Sequence, residues 1–538
     1  MRHFRPAVSR ALQFSLVLVM AGATITCATA QAQSKSAAPT PAAKSTDGTA
    51  EQRANRGLEA AKSSPPALYA WLVKMPKGGD LHSHISGAVY AETFIKDAIE
   101  DRLCINTTAL AFAKATSPAS PAHPEVCAEG DVPAAQADAD QNLYDALIDA
   151  FSMRSFVPAT GTTGHDHFFD TFDKFRGTDK RHLGEWLDEL ATRAAAQNEQ
   201  YLELMQTPAY THAAAAAAAV PWQEDLLELR DQLLAHGLRE DIAVARGELD
   251  AAEALRTKSE RCSQPDAAPA CQVQIRYLYQ VLRGLPKETV FAQTVLAFET
   301  ASVDPRFVGL NFVMPEDGRV AMTDYVLHMH MLDVLHTLYP KIQISLHAGE
   351  LAPGMVPYEG LCCHIRLAVE QGHAQRIGHG VDVMYETRPH EILKEMAAKH
   401  VMVEINLTSN DVILGVFGDE HPFPIYHQFR VPVALSTDDE GVSRINLTHE
   451  FVRAVETYNL NYSDLKELVR TSLEHSFLAG GSLWREADDF RAPAPPCAHD
   501  PVGAEHPKGA CADFLKSSEK ATQQWELESR FRRFESQF

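Results

Sequence analysis

The chain has 538 residues, 45% of them apolar, which suits one large barrel with insertions or two to three ordinary soluble domains. Its 49 basic and 71 acidic residues leave a formal charge of −22. A surface of that sign repels a phosphate backbone, which argues against a nucleic-acid partner.

At the N-terminus, Arg2, Arg5 and Arg10 form a basic region and an apolar stretch of residues 11–25 follows, short for a membrane span. Small residues around Ala28, Ala30 and Ala32 then offer cleavage sites. Residues 1–30 therefore read as a secretory signal, which predicts export to a periplasm or beyond without stable membrane insertion. Residues 31–63, rich in Ala, Ser, Thr, Pro and Lys, read as a disordered tether.

Across residues 64–488 short apolar runs alternate with helix-like stretches, the pattern of βαβ units and a parallel sheet. Strands are predicted over 79–85, 201–205, 273–282, 307–313, 342–347, 375–381, 401–406 and 432–437. Eight strands separated by helices predict a (β/α)₈ TIM-type barrel, whose active site stands at the C-terminal ends of its strands. Segments of about 101–140 and 212–270 read as insertions, and the Ala213–Ala219 run is a helix former without chemistry. Residues 489–538 form a C-terminal extension ending in an amphipathic stretch, 522–538, open to packing on the barrel or on a partner such as a second copy in a homodimer.

Of nine cysteines, Cys27 falls in the signal, leaving eight. Three pairs lie close in sequence: Cys104 with Cys127, Cys262 with Cys271, and Cys497 with Cys511. In an oxidising compartment these are local disulfide candidates, although sequence does not fix connectivity. Cys362 and Cys363 are adjacent and carry no assignment, and without a CxxC pair a thiolate zinc site is disfavoured.

The residues with chemistry cluster at strand ends. Asp80-Leu81-His82-Ser83-His84 ends the first strand, and residues two apart on a strand share a face, so His82 and His84 point together into the barrel mouth. Neutral imidazoles so placed are natural metal ligands. Ser345-Leu346-His347-Ala348-Gly349-Glu350 ends the fifth strand; a carboxyl beside a metal and partly out of water can hold a proton near neutral pH. Arg376-Ile377-Gly378-His379-Gly380 lies at the sixth strand, with glycines that leave His379 open. Ser436-Thr437-Asp438-Asp439 ends the eighth, where adjacent carboxylates need a cation or donor nearby. Singly, each has a structural alternative: packed histidines, a Glu350 or an Asp pair that caps a helix, a histidine in a tight turn. Four such motifs at the same end of four strands outweigh it. No His–Glu with PCxxC, no GxSxG and no P-loop is present.

The ordered set MPKGGDLHSHISGA, SLHAGE, RIGHG and STDD resembles the adenosine deaminase family of the metal-dependent amidohydrolase superfamily, most of all its secreted, growth-factor-related branch and bacterial exported members. The resemblance covers about residues 75–450. It implies a (β/α)₈ barrel that hydrolyses adenosine, 2′-deoxyadenosine or a close 6-aminopurine nucleoside to the 6-oxo product and ammonia. It implies one Zn²⁺ per chain on His82, His84, His347 and Asp438. Glu350 then protonates purine N1, His379 orients and activates the attacking water, and Asp439 bonds the purine near N7. Ser86 and Gly87 fall where the family contacts the ribose, with Ser86 in place of the usual acid. Gly309 leads to the substrate-binding turn, and Met314 stands where the family tends to have Gly, offering its backbone N–H to purine N3. The alternatives are an amidohydrolase on the same scaffold acting on another aminopurine or a cyclic amide, and a secreted binding or signalling protein with a relic site.

Overall fold

The structure, a computed structural model, describes residues 48–117, 125–178 and 180–538. The signal expected over 1–30 and the first part of the tether lie outside them. The rest of the expected tether is not disordered. Thr49 caps a helix over Ala50–Ala61 through a reciprocal capping box with Gln52, and a second helix, Pro65–Leu72, follows. Ala54, Leu58 and Ala61 bury one stripe of the first helix, so its Ala-rich sequence is amphipathic rather than featureless.

Eight parallel strands form one sheet: β1 Gly79–His84, β2 Tyr201–Gln206, β3 Gln274–Leu282, β4 Phe307–Val313, β5 Gln343–Ala348, β6 Arg376–His379, β7 Met402–Ile405 and β8 Val433–Leu435. Each pairs with its predecessor in sequence, as consecutive βαβ units require. The ring closes between β8 and β1: the Asp438 N–H donates to the His82 carbonyl at 2.8 Å and the His84 N–H to the Asp438 carbonyl at 3.3 Å. The barrel is thus a (β/α)₈ TIM barrel with all eight strands at the expected positions.

The connections carry the elaborations. Between β1 and β2 a three-stranded antiparallel sheet (Cys104–Asn106, Ala111–Ala113, Asp131–Pro133) is tied by the Cys104–Cys127 disulfide. Between β2 and β3 lie helices Thr211–Ala219, Leu226–Ala235 and Glu240–Ser259, then the Cys262–Cys271 disulfide. The alanine run has a packing role. Ala213, Ala216 and Ala217 face the core, and small side chains let this helix lie close on helix Lys287–Val303. That second cover explains why residues 290–300 of the latter are buried all round.

The C-terminal extension packs on the barrel. Helix Glu519–Glu535 crosses the N-terminal ends of the strands, where the Gln200 side chain donates to the Gln523 carbonyl at 2.8 Å and Arg470 forks onto Glu528 at 2.6 and 2.9 Å. Phe534 meets Trp71 edge-on at 5.0 Å, joining the second and last helices. The Cys497–Cys511 disulfide sits in a satellite core with Leu483, Trp484, Leu515 and Trp525. Cys362 and Cys363 are bonded to each other. Among the described residues no helix is long and apolar enough to cross a membrane.

Candidate metal centre and active site

The C-terminal ends of β1, β5 and β8 bring His82, His84, His347 and Asp438 together. His84 Nε2 lies 3.3 Å from His347 Nε2 and 3.2 Å from Asp438 Oδ1, and His82 Nε2 is 3.5 Å from the same oxygen. Donor atoms at tetrahedral corners about 2.0–2.1 Å from a zinc ion are about 3.3 Å apart, so the spacing suits one cation. His82 Nε2 and Asp438 Oδ1 are buried without a hydrogen-bond partner among the described residues, a costly state that a cation relieves.

The opposite ring nitrogens fix the tautomers. His82 Nδ1 meets Glu404 Oε2 at 2.6 Å, His84 Nδ1 meets Gln280 Oε1 at 2.6 Å, and His347 Nδ1 meets Asn311 Oδ1 at 2.8 Å. Both carboxamides are themselves oriented, since Gln280 Nε2 donates to Thr207 Oγ1 and Asn311 Nδ2 to Ser345 Oγ. Each imidazole therefore carries its proton on Nδ1 and turns the Nε2 lone pair into the centre, as metal ligation needs. Ser345 Oγ in turn donates to Glu404, and Arg376, buried between Glu203 and Glu404 at 2.7 Å from each, balances the charge beneath.

His379 also reaches this cluster, its Nε2 3.9 Å from Asp438 Oδ2 and 3.6 Å from Glu350 Oε1. Its Nδ1, however, accepts from Asn410 Nδ2 at 2.9 Å, and Asn410 Oδ1 accepts from His421 Nε2 at 2.9 Å. His421 Nδ1 accepts the Phe423 backbone N–H at 3.1 Å. A ring with an accepting Nδ1 carries its proton on Nε2 and has no lone pair there for a cation. His379 lies within 4.8 Å of His82, His347 and Asp438, and His84 groups with Asp438 and Asp439; of the two histidines, only His84 turns a lone pair into the centre.

Glu350 is held by its backbone. Its N–H and that of Gly349 donate to the two Glu316 oxygens at 2.8 and 3.1 Å, and His364 Nδ1 bonds Glu316 as well. Burial pushes the Glu316 carboxyl up, but the His364 bond and the Arg283 charge outweigh it and hold it down at about 2. The Glu350 side chain has no such partner. Burial first, then the Asp438 carboxylate, raise its pKa well above the usual value, which favours the protonated acid.

Asp439 seats against Gly87: a Cβ there would stand 1.5 Å from Asp439 Oδ1, so only glycine permits the approach. Three side-chain-bearing residues of the site occupy the left-handed region, Asp438 at φ 59°, His379 at 69° and Met314 at 86°. Asp and His tolerate it; Met does so at a cost of about 1–3 kcal/mol. The Met314 side chain lies over Gly284, whose Cβ would be 2.8 Å from its terminal methyl.

A cavity of about 1300 Å³ opens over the centre, lined by His84, Ser86, His347, Glu350, Asp438, Asp439 and Met314. Its far wall is apolar, with Phe168, Phe169 and Phe172 from helix Gly164–Lys174 and Leu282, Leu285 and Val313. Gly309 is not part of it. This residue lies low on β4, where a Cβ would meet the Gln343 carbonyl at 2.6 Å and the Phe477 ring at 3.0 Å, so its glycine serves strand packing and not substrate.

The residues that sequence reasoning missed are Glu404, Gln280, Asn311, Glu316, Asn410 and His421. Three of them stand inside apolar strand runs, in LYQVL, GLNFV and VMVEI, where a lone polar residue is itself a signal of a satisfied inward role.

The sequence pattern of the family described as adenosine deaminase matches residues 166–482. Adenosine deaminase of Clostridium perfringens is 36% identical over 136 residues, 25% of this chain and 38% of that protein. That of Clostridium acetobutylicum is 29% identical over 152 residues, 28% and 42%. The aligned chain thus spans well under half the length of these relatives. Among solved structures, the adenine deaminase of Arthrobacter aurescens superposes with TM-score 0.48 and 16% identity over 75% of this chain and 94% of that one. The N6-methyl-AMP deaminase of Arabidopsis thaliana does so with TM-score 0.48 and 19% identity over 76% and 94%.

Proposed function

The chain belongs to the adenosine deaminase family, and from that premise we propose that it hydrolyses the 6-amino group of adenosine, 2′-deoxyadenosine or a close 6-aminopurine nucleoside. The observation that carries the reading is the convergence of three inward Nε2 lone pairs and Asp438 beside Glu350, a buried carboxyl with a raised pKa, in one cavity.

The ligands proposed for a single zinc ion are His82, His84, His347 and Asp438, a nitrogen-rich set that suits it. Bound there, zinc supplies Lewis acidity that lets a water molecule ionise near neutral pH. The chain's own residues do the rest. Glu350 delivers its proton to purine N1, which breaks the ring's aromaticity and makes C6 electrophilic. His379 directs its Nε2–H toward the oxygen that adds at C6, and Asp439 holds the purine near N7. The C6–N bond then breaks, ammonia leaves and the 6-oxo purine remains. The aromatic wall of helix Gly164–Lys174 gives the base an apolar face and keeps bulk water off the reacting carbon.

Steady-state kinetics on adenosine, deoxyadenosine, adenine and AMP with the zinc-loaded protein tests this. The nucleosides are expected to release ammonia with the highest kcat/KM. Ammonia from none of them refutes the reading, and preference for adenine or AMP moves the substrate to another aminopurine. Export is part of the same proposal. The signal-like N-terminus and the disulfides Cys104–Cys127, Cys262–Cys271 and Cys497–Cys511 support it; retention of the unprocessed chain in the cytoplasm on cell fractionation counts against it.

A further inference from the structure

The hydrogen-bond chain behind His379 begins at a group that has no choice of role. A backbone N–H can only donate, and that of Phe423 donates to His421 Nδ1 at 3.1 Å. His421 is buried and neutral, its pKa pushed down to about 3 by burial and by Arg453, so its single proton is on Nε2. That proton goes to Asn410 Oδ1 at 2.9 Å, which turns the Asn410 amide nitrogen toward His379 Nδ1, also 2.9 Å away. His379 Nδ1 must then accept, and the ring proton lies on Nε2. This nitrogen is fully buried, lacks a hydrogen-bond partner among the described residues, and faces Glu350 and Asp438. The direction of every bond follows from the Phe423 amide.

We propose that His421 and Asn410 are positioning residues that lock His379 as a hydrogen-bond donor, so that His379 stabilises the oxygen adding at C6 rather than taking the proton from the attacking water. The identity of that oxygen rests on the deaminase reading above. A ring protonated on Nε2 has no lone pair there to receive a proton. As the C6–O bond forms and the water O–H bond breaks, the proton passes to the Asp438 carboxylate, which is the ionised member of the Asp438–Asp439 pair, while His379 keeps its own. The donor is aimed before substrate arrives, so no reorganisation is needed as negative charge grows on the oxygen.

Asn410→Asp reverses the instruction, because a carboxylate only accepts and demands an Nδ1–H from His379. The expected result is a kcat loss of roughly 10²-fold or more, with KM within about threefold of the parent and zinc still near one per chain. If His379 is instead the proton acceptor, the same variant presents it with a free Nε2 lone pair, and kcat holds or rises; that outcome overturns the proposal. His421→Gln, which keeps a side-chain N–H for Asn410 Oδ1, is expected to retain most of the kcat that His421→Leu loses. Equal losses in both count against the relay. A readout independent of turnover uses ¹⁵N-histidine-labelled wild-type protein, with His379 assigned by its loss in His379→Gln. An unprotonated Nδ1 and protonated Nε2 support the inference even if no aminopurine is turned over. A protonated Nδ1 refutes it even in an active deaminase, and the test stands if Asn410→Asp does not fold.

Discussion

Glu316, in the loop after β4, and Glu350, in the loop after β5, are hydrogen-bonded neighbours and do opposite work. Glu316 is ionised and accepts two backbone N–H groups; the Glu350 carboxyl is pushed well above its usual pKa by burial and by the Asp438 charge, which outweigh Arg283. Glu350→Gln keeps the shape and removes the transferable proton, so kcat is expected to fall by about 10²–10⁴-fold while zinc content stays near one per chain. Retained turnover in that variant rules out its role as the acid. Glu316→Gln leaves one acceptor for two donors and sets an amide nitrogen against a backbone N–H. The expected cost is about 1–3 kcal/mol of stability together with a lower kcat, since the backbone of Glu350 loses its anchor. Denaturant titration and kinetics on the same preparation check both.

At the scale of elements, helix Gly164–Lys174 decides how the pocket is walled. It lies against helix Leu407–Leu414, where Gly164 approaches so closely that a Cβ would stand 1.9 Å from the Val412 carbonyl oxygen. His165 also bonds Asp317, in the loop after β4, at 3.0 Å. The helix thus bridges the ends of β7 and β4 and carries Phe168, Phe169 and Phe172 over the centre. Gly164→Ala forces a backbone shift and not a rotamer change. KM is expected to rise severalfold with zinc content unchanged, because the substrate wall moves and the ligands on β1, β5 and β8 do not. An unaltered KM places the aromatic wall outside substrate binding. The same logic separates loop from barrel elsewhere: the disulfides tie peripheral connections, whereas the proposed metal ligands ride on strands fixed by the closed ring.

For the whole molecule, acid stability is coupled to a histidine outside the strand-end cluster. His328, on helix Arg319–Leu338, is buried against Phe312, and neither ring nitrogen has a hydrogen-bond partner among the described residues. Burial, helped by Arg283, pushes its pKa down to about 4. Between that value and about 6.5 the unfolded chain binds a proton that the native state refuses, so stability rises with pH across this window and is lost as pH falls through it. The loss attributable to His328 is up to about 3 kcal/mol. His328→Leu removes no hydrogen bond and is expected to flatten the decline between pH 6.5 and 4 in denaturant titrations. A variant as acid-sensitive as the parent excludes His328 as a source of it.

The barrel, its eight strands and the His82, His84, His347, Glu350, His379 and Asp438–Asp439 set were legible in the chain, because strand periodicity and strand-end position are local properties. The helix at Ala50–Ala61 was not, since an alanine-rich segment reads as a tether until a partner surface gives one face something to bury. Gly309 was misread for a related reason: a glycine shows that room is needed but not on which side, and Phe477, 168 positions away in sequence, supplies the answer. The tautomers belong to the same class. Which ring nitrogen carries a proton depends on Gln280, Asn311, Glu404 and Asn410, residues that only the closed ring of strands and its loops bring to the histidines. Sequence by itself determined which histidines and carboxylates stand at the strand ends. Tertiary structure decided which nitrogen faces the centre of the cluster, because hydrogen-bond direction is set by neighbours in space and not along the chain.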